Sequence, residues 1–267
     1  MEYISITNDQ KVAKYFEECG IDYIMVDLET LGKKKRQKGL NTVLSNHSIR
    51  DVKKIKDVLS TSKCLVRVNP INKRSSTEIN KVIDNGADIL MLPFFKRKEE
   101  VETFVNLVDN RADKFLLLET PQALTRVDEI LALDGIDAVH IGLNDLSIGL
   151  GLDFLYEPFI GGLVEYLALK FKSKGMKFGI GGVSKLPKGE NILSEHVRLG
   201  SNMVILNRDF RNHEESYEGI TSSGDLKAEI QKINDYLSSL SNASEMELLN
   251  TKAKFFKEIK KQMHEIL

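Results

Sequence analysis

Eight short apolar runs recur along this 267-residue chain, and segments with helical periodicity fall between most of them. The runs are Tyr3 to Ile6, Tyr23 to Leu28, Cys64 to Val68, Ile89 to Leu92, Phe115 to Leu118, Val139 to Ile141, Lys177 to Ile180 and Met203 to Leu206. A run that is apolar at successive positions, rather than at alternate ones, suits a strand covered on both faces, as in a parallel sheet flanked by helices. The intervening segments Gln10 to Cys19, Ile49 to Leu59, Thr77 to Asp84, Glu99 to Leu107, Phe159 to Ser173 and Leu193 to Leu199 are spaced as amphipathic helices. Thr7-Asn8-Asp9 caps the first of them, and Gly20, Gly86, Gly135, Gly175 and Gly200 stand where helices should stop. Eight strands with a helix after each predict a (β/α)8 TIM barrel of the α/β class, with a doubly wound open sheet as the alternative. The length agrees, since such barrels average about 250 residues.

The expected organisation is a barrel over residues 1–212 and a helical tail over residues 213–267. In the tail, Leu226, Ile230, Ile233 and Leu237 share one helical face, which suits either closure of the barrel floor or a contact in a homo-oligomer. Lys and Arg (38) nearly cancel Asp and Glu (39), which argues against a nucleic-acid partner. The N-terminus has no basic segment leading into an apolar one, and no apolar stretch is long enough for a membrane span. Cys19 and Cys64 fit no metal spacing and read as reduced, buried thiols, so a soluble cytoplasmic protein is expected.

Chemistry is expected at two strand ends. Lys114-Phe-Leu-Leu-Leu-Glu119 and Ala138-Val-His-Ile-Gly-Leu143 are separated by a helical segment, and an acid follows each strand: Glu119 and Asp145. In a parallel α/β fold the carboxyl ends of all strands face one way, so the two acids converge on one rim. Carboxylates that meet there either repel or share a hard divalent cation such as Mg2+ or Mn2+. The basic run Gly32-Lys-Lys-Lys-Arg-Gln-Lys38 follows the second strand and reads either as an anion grip at the mouth (Lys33 to Lys38) or as a solvated loop.

Five segments in this order resemble the HpcH/HpaI aldolase and citrate lyase beta-subunit family, a pyruvate and phosphoenolpyruvate barrel superfamily. They are Val26-Asp27-Leu28-Glu29 with Lys35-Arg36, Leu65-Val-Arg67-Val-Asn69, Asn85-Gly-Ala-Asp-Ile-Leu-Met-Leu-Pro93, Leu118-Glu119-Thr120-Pro121, and Gly135 to Ser147. The resemblance implies a class II, metal-dependent carbon–carbon lyase acting through a pyruvate-like enolate, with a 2-oxo acid and an aldehyde as substrates. It puts the metal-binding acids at Glu119 and Asp145 and the substrate arginine at Arg67. The carboxylate-binding backbone falls on Gly142, Leu143, Asn144 and Asp145, and a catalytic partner aspartate on Asp84. The family's aldolase branch carries a histidine after the second-strand acid; here that position is Thr30, and His47 is a candidate substitute.

Other readings remain open at this level. Arg67 stands among Leu65, Val66 and Val68, where a charge needs a partner, so an ion pair with Asp27 or Glu29 is the alternative to a substrate role. Asp145 could cap the helix after Ser147, Asp84-Asn-Gly is also a turn sequence, and His140 fits a core histidine. An acyl-CoA or acyl-carrier ester lyase of the citrate lyase beta type, or a barrel kept only as a scaffold, are the rival functions. Asp153 to Pro158 and Gly181 to Ser184 are expected to shape the acceptor pocket.

Overall fold

The computed structural model describes residues 1–33 and 46–266 and is a closed barrel of parallel strands in the order β1 to β8. The strands are β1 (Glu2–Ile6), β2 (Tyr23–Asp27), β3 (Lys63–Arg67), β4 (Ile89–Leu92), β5 (Asp113–Leu118), β6 (Ala138–Ile141), β7 (Lys177–Val183) and β8 (Met203–Leu206). β8 pairs with β1 through Glu2↔Met203, Tyr3↔Val204 and Ile4↔Ile205, which removes both sheet edges and excludes the open-sheet alternative.

Side chains alternate across each strand. Ile4, Tyr23, Met25, Leu65, Ile89, Met91, Phe115, Leu117, Ala138 and Met203 fill the barrel interior, while their neighbours Ile24, Val26, Cys64, Val66, Leu116 and Val139 pack outward against the helices. This period of two has a direct consequence at the rim: two positions beyond Met25, Leu65 and Leu117 come Asp27, Arg67 and Glu119, on the same inward-facing side of their strands. β7 departs from regularity between Gly179 and Gly182, where its register with β8 shifts.

The helices follow the expected pattern with local differences. The side chain of Asp9 accepts from the Val12 amide at 3.0 Å, capping Gln10–Glu18, and Gly200 closes Glu190–Leu199 at φ 79°. The segment between β5 and β6 is two short helices, Pro121–Leu124 and Val127–Ile130, rather than one. The helix after β6 begins earlier than expected, at Leu143 with Gly142 as its N-cap, so Asp145 lies in its first turn and is not a cap before a later helix. Tyr217–Ser223 is a short helix at the start of the tail.

The helix Leu226–Ser241 is not separate from the barrel. Leu226, Ile230 and Ile233 are buried in the shell outside the strands, and the Tyr3 hydroxyl at the start of β1 donates to Asn234 Oδ1 at 2.6 Å. It joins the ring of helices outside the strands, against Glu190–Leu199. Glu245–Ile266 then lies back on the chain's own surface: Phe255 and Ile259 are buried, Phe255 stacks edge-on against Tyr156 and Phe159, and Lys252 pairs with Glu165 at 2.7 Å. Among the described residues no helix is long and apolar enough to cross a membrane. Both cysteines are free and buried.

Candidate active site

A cavity of about 710 Å3 opens at the carboxyl ends of the strands, and Arg67, Glu119, Gly142, Leu143, Asn144 and Asp145 all line it. Its walls are built by the inward register. Glu119 follows β5, is 3 % exposed, and accepts the Phe94 backbone N–H on Oε1 at 3.0 Å. Phe94 reaches that position in the left-handed region (φ 52°), a conformation that costs a non-glycine residue about 1 kcal/mol. The Thr120 hydroxyl donates to the Phe95 carbonyl at 2.7 Å, so the loop after β4 is tied twice to the loop after β5. On its other side Glu119 meets Gly142: a Cβ there would stand 2.7 Å from Glu119 Cβ and 2.8 Å from Oε2. Only glycine lets the end of β6 approach the carboxylate this closely. The amides of the first turn after Gly142 have no intrahelical acceptors.

Arg67 and Asp27 are directly paired across β3 and β2, and the guanidinium grips the carboxylate through Nε (2.8 Å) and Nη2 (2.7 Å). The structural ion pair weighed against a substrate role is therefore present, yet Arg67 still lines the cavity, and its Nη1 makes no hydrogen bond among the described residues. Lys33 completes the cluster at 2.8 Å from Asp27 and 3.5 Å from Glu29. Two acids and two cations, each side chain at most 15 % exposed, neutralise one another beneath the mouth. Burial alone would raise the Asp27 carboxyl, but Arg67 and Lys33 hold it well below the usual carboxylate range; Asp27 in turn holds Arg67 above its ordinary value against the opposing effect of burial. Lys33 is thus a buried structural cation, while Lys34 to Lys38 lie outside the described residues.

His47 lines the cavity but its Nδ1 accepts the Asp27 backbone N–H at 3.0 Å, so the neutral ring carries its proton on Nε2. Burial lowers its pKa despite Asp27 and Asp51 nearby. In this tautomer it offers a donor to the cavity and not a base. His140 points into the barrel from β6, with Nε2 2.9 Å from the Gly181 carbonyl; burial, with Arg67 adding to it, lowers its pKa to about 4. Gly179 across from it leaves room for the ring, because a Cβ there would lie 2.3 Å from His140 Nδ1.

Asp84 is not brought to this site. It is the last residue of the helix Ser75–Asp84, exposed and outside the cavity, and helices of this fold run back from the mouth, so their carboxyl ends lie at the opposite face. The Asp-Asn-Gly turn reading describes it correctly. Of the acceptor-loop expectations, Leu155 and the residues Gly181, Gly182 and Ser184 do line the cavity. Sequence reasoning missed the charged wall formed by Arg208 and Arg211 after β8, although their position directly after an apolar strand was available as a signal.

Fold and rim together define a class, that of parallel barrels with an acid- and arginine-lined pocket at the strand carboxyl ends. The profile of the HpcH/HpaI aldolase/citrate lyase family matches residues 3–157, and the chain belongs to that family. It is 26 % identical over 199 residues to a hydroxypyruvate/pyruvate aldolase of Agrobacterium fabrum, covering 61 % of this chain and 72 % of that one. A second hydroxypyruvate/pyruvate aldolase, from Sagittula stellata, is 25 % identical over 164 residues, 50 % of this chain and 63 % of that one. Among solved structures, an HpcH/HpaI aldolase from Desulfitobacterium hafniense superposes with a TM-score of 0.62 at 16 % identity, covering 91 % of this chain and 94 % of that one, a likeness of fold.

Proposed function

We propose that this protein is a carbon–carbon lyase that makes or breaks a bond beside the enolate of a pyruvate-like 2-oxo acid, with an aldehyde as the second substrate. The observation that carries the reading is the setting of Glu119: a buried carboxylate fixed by a strained backbone N–H, backed by a glycine that has no room for a side chain, in the cavity that Asp145 and Arg67 also line. Carboxylate oxygens from Glu119 and Asp145 suit Mg2+ or Mn2+, which ordinarily take one or two carboxylates and complete their shell with water and substrate oxygens. Among the described residues there is no cluster of three or more acids, histidines or cysteines that would instead suit a closed site. When bound, such an ion acts as a Lewis acid toward the keto oxygen and makes the adjacent C–H bonds more acidic.

The chain's own groups divide the remaining work. The amides of Leu143, Asn144 and Asp145 hold the substrate carboxylate, and Gly142 permits its close approach. Arg67, locked by Asp27 so that its orientation is fixed in advance, presents its remaining N–H groups to the enolate oxygen. His47 donates from Nε2. Leu155, beyond the helix that follows β6, and Gly181, Gly182 and Ser184 at the end of β7 border the space in which the aldehyde lies.

The test is solvent deuterium uptake at the pyruvate methyl group, with calorimetry of metal and oxalate binding alongside. We expect exchange that depends on Mg2+ or Mn2+ and tighter oxalate binding when metal is present. Glu119→Gln should abolish both. Arg67→Met should lower exchange by about 100-fold or more, as loss of one oxyanion donor does, while metal binding persists. Wild-type protein that neither binds metal nor exchanges the methyl protons would leave the barrel as a scaffold.

A further inference from the structure

The loop that leaves the helix after β6 borders the cavity at Leu155, and it has little of its own to hold it there. It spans residues 151–162, between two glycines in the left-handed region, Gly151 (φ 71°) and Gly162 (φ 72°). A Cβ at either would meet nothing within 4 Å, so the backbone turn and not crowding asks for glycine at both ends. Its regular part is the four-residue helix Glu157–Ile160, too short to persist by itself. Its polar ties are local: the Phe154 amide donates to Glu157 Oε1 at 2.7 Å, and the Ser147 hydroxyl donates to the Leu155 carbonyl at 3.2 Å. The tie to a distant part of the chain is aromatic. Tyr156 meets Phe154 at 5.5 Å and Phe159 at 6.2 Å between ring centroids, and Phe255, from the helix Glu245–Ile266, stands 5.6 Å from Tyr156 and 5.3 Å from Phe159. All four contacts are edge-on, and Phe159 and Phe255 are buried. Burial raises the pKa of the Tyr156 hydroxyl, and the Asp209 carboxylate in the turn after β8 adds to the rise.

The helix that carries Phe255 is fastened to the barrel through contacts that do not involve this loop. It packs along Glu190–Leu199, where Ile259 is buried, and the Asn191 side-chain amide donates to Glu258 Oε2 at 2.7 Å. Lys252 pairs with Glu165 at 2.7 Å, and Glu165 also takes Arg198 at 2.7 Å, which Glu195 holds in turn at 2.8 Å. A firmly seated helix thus offers one aromatic side chain to a loop that is weakly held by itself. We propose that the helix Glu245–Ile266 is a clamp, with Phe255 the positioning residue that seats the loop of residues 151–162 and thereby sets the acceptor side of the cavity at Leu155. Arg67 and Glu119, on strand ends, and Asp145, in the first turn after β6, lie outside the clamped segment, so the keto-acid half of the site forms without it. This division into halves rests on the aldolase reading; the seating of the loop does not.

Two measurements test it on the full chain. The first is amide hydrogen exchange read by mass spectrometry, which needs no turnover. In Phe255→Ala the amides of residues 152–160 should exchange about tenfold faster or more than in wild type, while those of β1 to β6 keep their rates. Ile233→Ala also empties a buried apolar position, on the other long helix of the tail and outside the ring cluster, and should leave the loop's rates as they are. Loop rates unchanged in Phe255→Ala, or raised as much in Ile233→Ala, overturn the proposal. Should Phe255→Ala fail to fold, Phe255→Leu, which keeps an apolar side chain in place, is judged by the same two criteria with a smaller rise expected. The second measurement compares deuterium uptake at the pyruvate methyl group with kcat/KM for glyceraldehyde in aldol addition. Phe255→Ala should hold the first within about twofold of wild type and lower the second by about tenfold or more, as a displaced pocket wall does; losses in parallel overturn the positioning role. If wild type catalyses neither reaction, the aldolase reading fails, and the exchange rates of the loop alone decide the clamp.

Discussion

At the scale of single residues, the site is a set of inward-pointing positions one step above the packed interior, and the charges there are arranged by strand register. Asp27 and Arg67 are cross-strand neighbours, so the pair forms wherever β2 and β3 align. Taking Asp27 away leaves Arg67 and Lys33 buried without the carboxylate that bonds both of them. Asp27→Asn should therefore destabilise the protein by about 3–5 kcal/mol in urea unfolding, as removal of one partner of a buried pair does. It should also misplace the guanidinium and slow pyruvate exchange. Gly142→Ala tests the other contact at Glu119: its methyl group would enter the carboxylate's space, so exchange should fall by about 100-fold for a stability loss of only about 1–3 kcal/mol. Equal wild-type exchange rates in that variant would show that the close approach is incidental. Strand-end spacing pointed to Glu119 and Asp145, and the family resemblance to Arg67 and Gly142; all four line the one cavity. The same resemblance misplaced Asp84, because a helix end and a strand end look alike as turn sequences although they lie on opposite faces of a barrel.

At the scale of elements, the helix Leu226–Ser241 behaves as part of the ring and Glu245–Ile266 as a cover. Deleting the first uncovers β1 and the face that Leu226, Ile230 and Ile233 fill, so a chain ending at Gly224 should not fold to a cooperative state. Ile233→Ala alone should cost about 2–5 kcal/mol. A chain ending at Asn242 loses Phe255 and Ile259 from the surface of Glu190–Leu199 but keeps the ring whole, and should unfold cooperatively at a lower midpoint. Circular dichroism melts of the two truncations distinguish these roles. The apolar spacing of both helices was readable, but their destination was not: one amphipathic stripe fits the chain's own barrel as well as a neighbouring copy.

At the scale of the whole molecule, stability should depend on pH through histidines kept neutral by burial. His196, buried with Nδ1 2.9 Å from Ser201 Oγ, has its pKa lowered from 6.5 to about 3 by burial, with His140 adding to the effect. The unfolded chain takes up that proton below pH 6.5 while the folded chain does not, so the stabilisation is complete above 6.5 and is lost as pH falls from 6.5 toward 3. Between about pH 7 and about pH 4.5 the loss is about 3 kcal/mol for this residue alone, read as a falling urea midpoint. His196→Gln should flatten that part of the profile. The amino-acid sequence by itself determined the barrel, its strands and the rim acids, because an apolar run covered on both sides and a glycine-stopped helix are local patterns that repeat in order. Only the tertiary structure decided which charges meet: that Arg67 is held by Asp27, that Lys33 is buried, that His47 presents a donor, and that Arg208 and Arg211 face the mouth. Such pairings join residues distant in the chain, and they are fixed by barrel closure and strand register, which no single stretch of sequence contains.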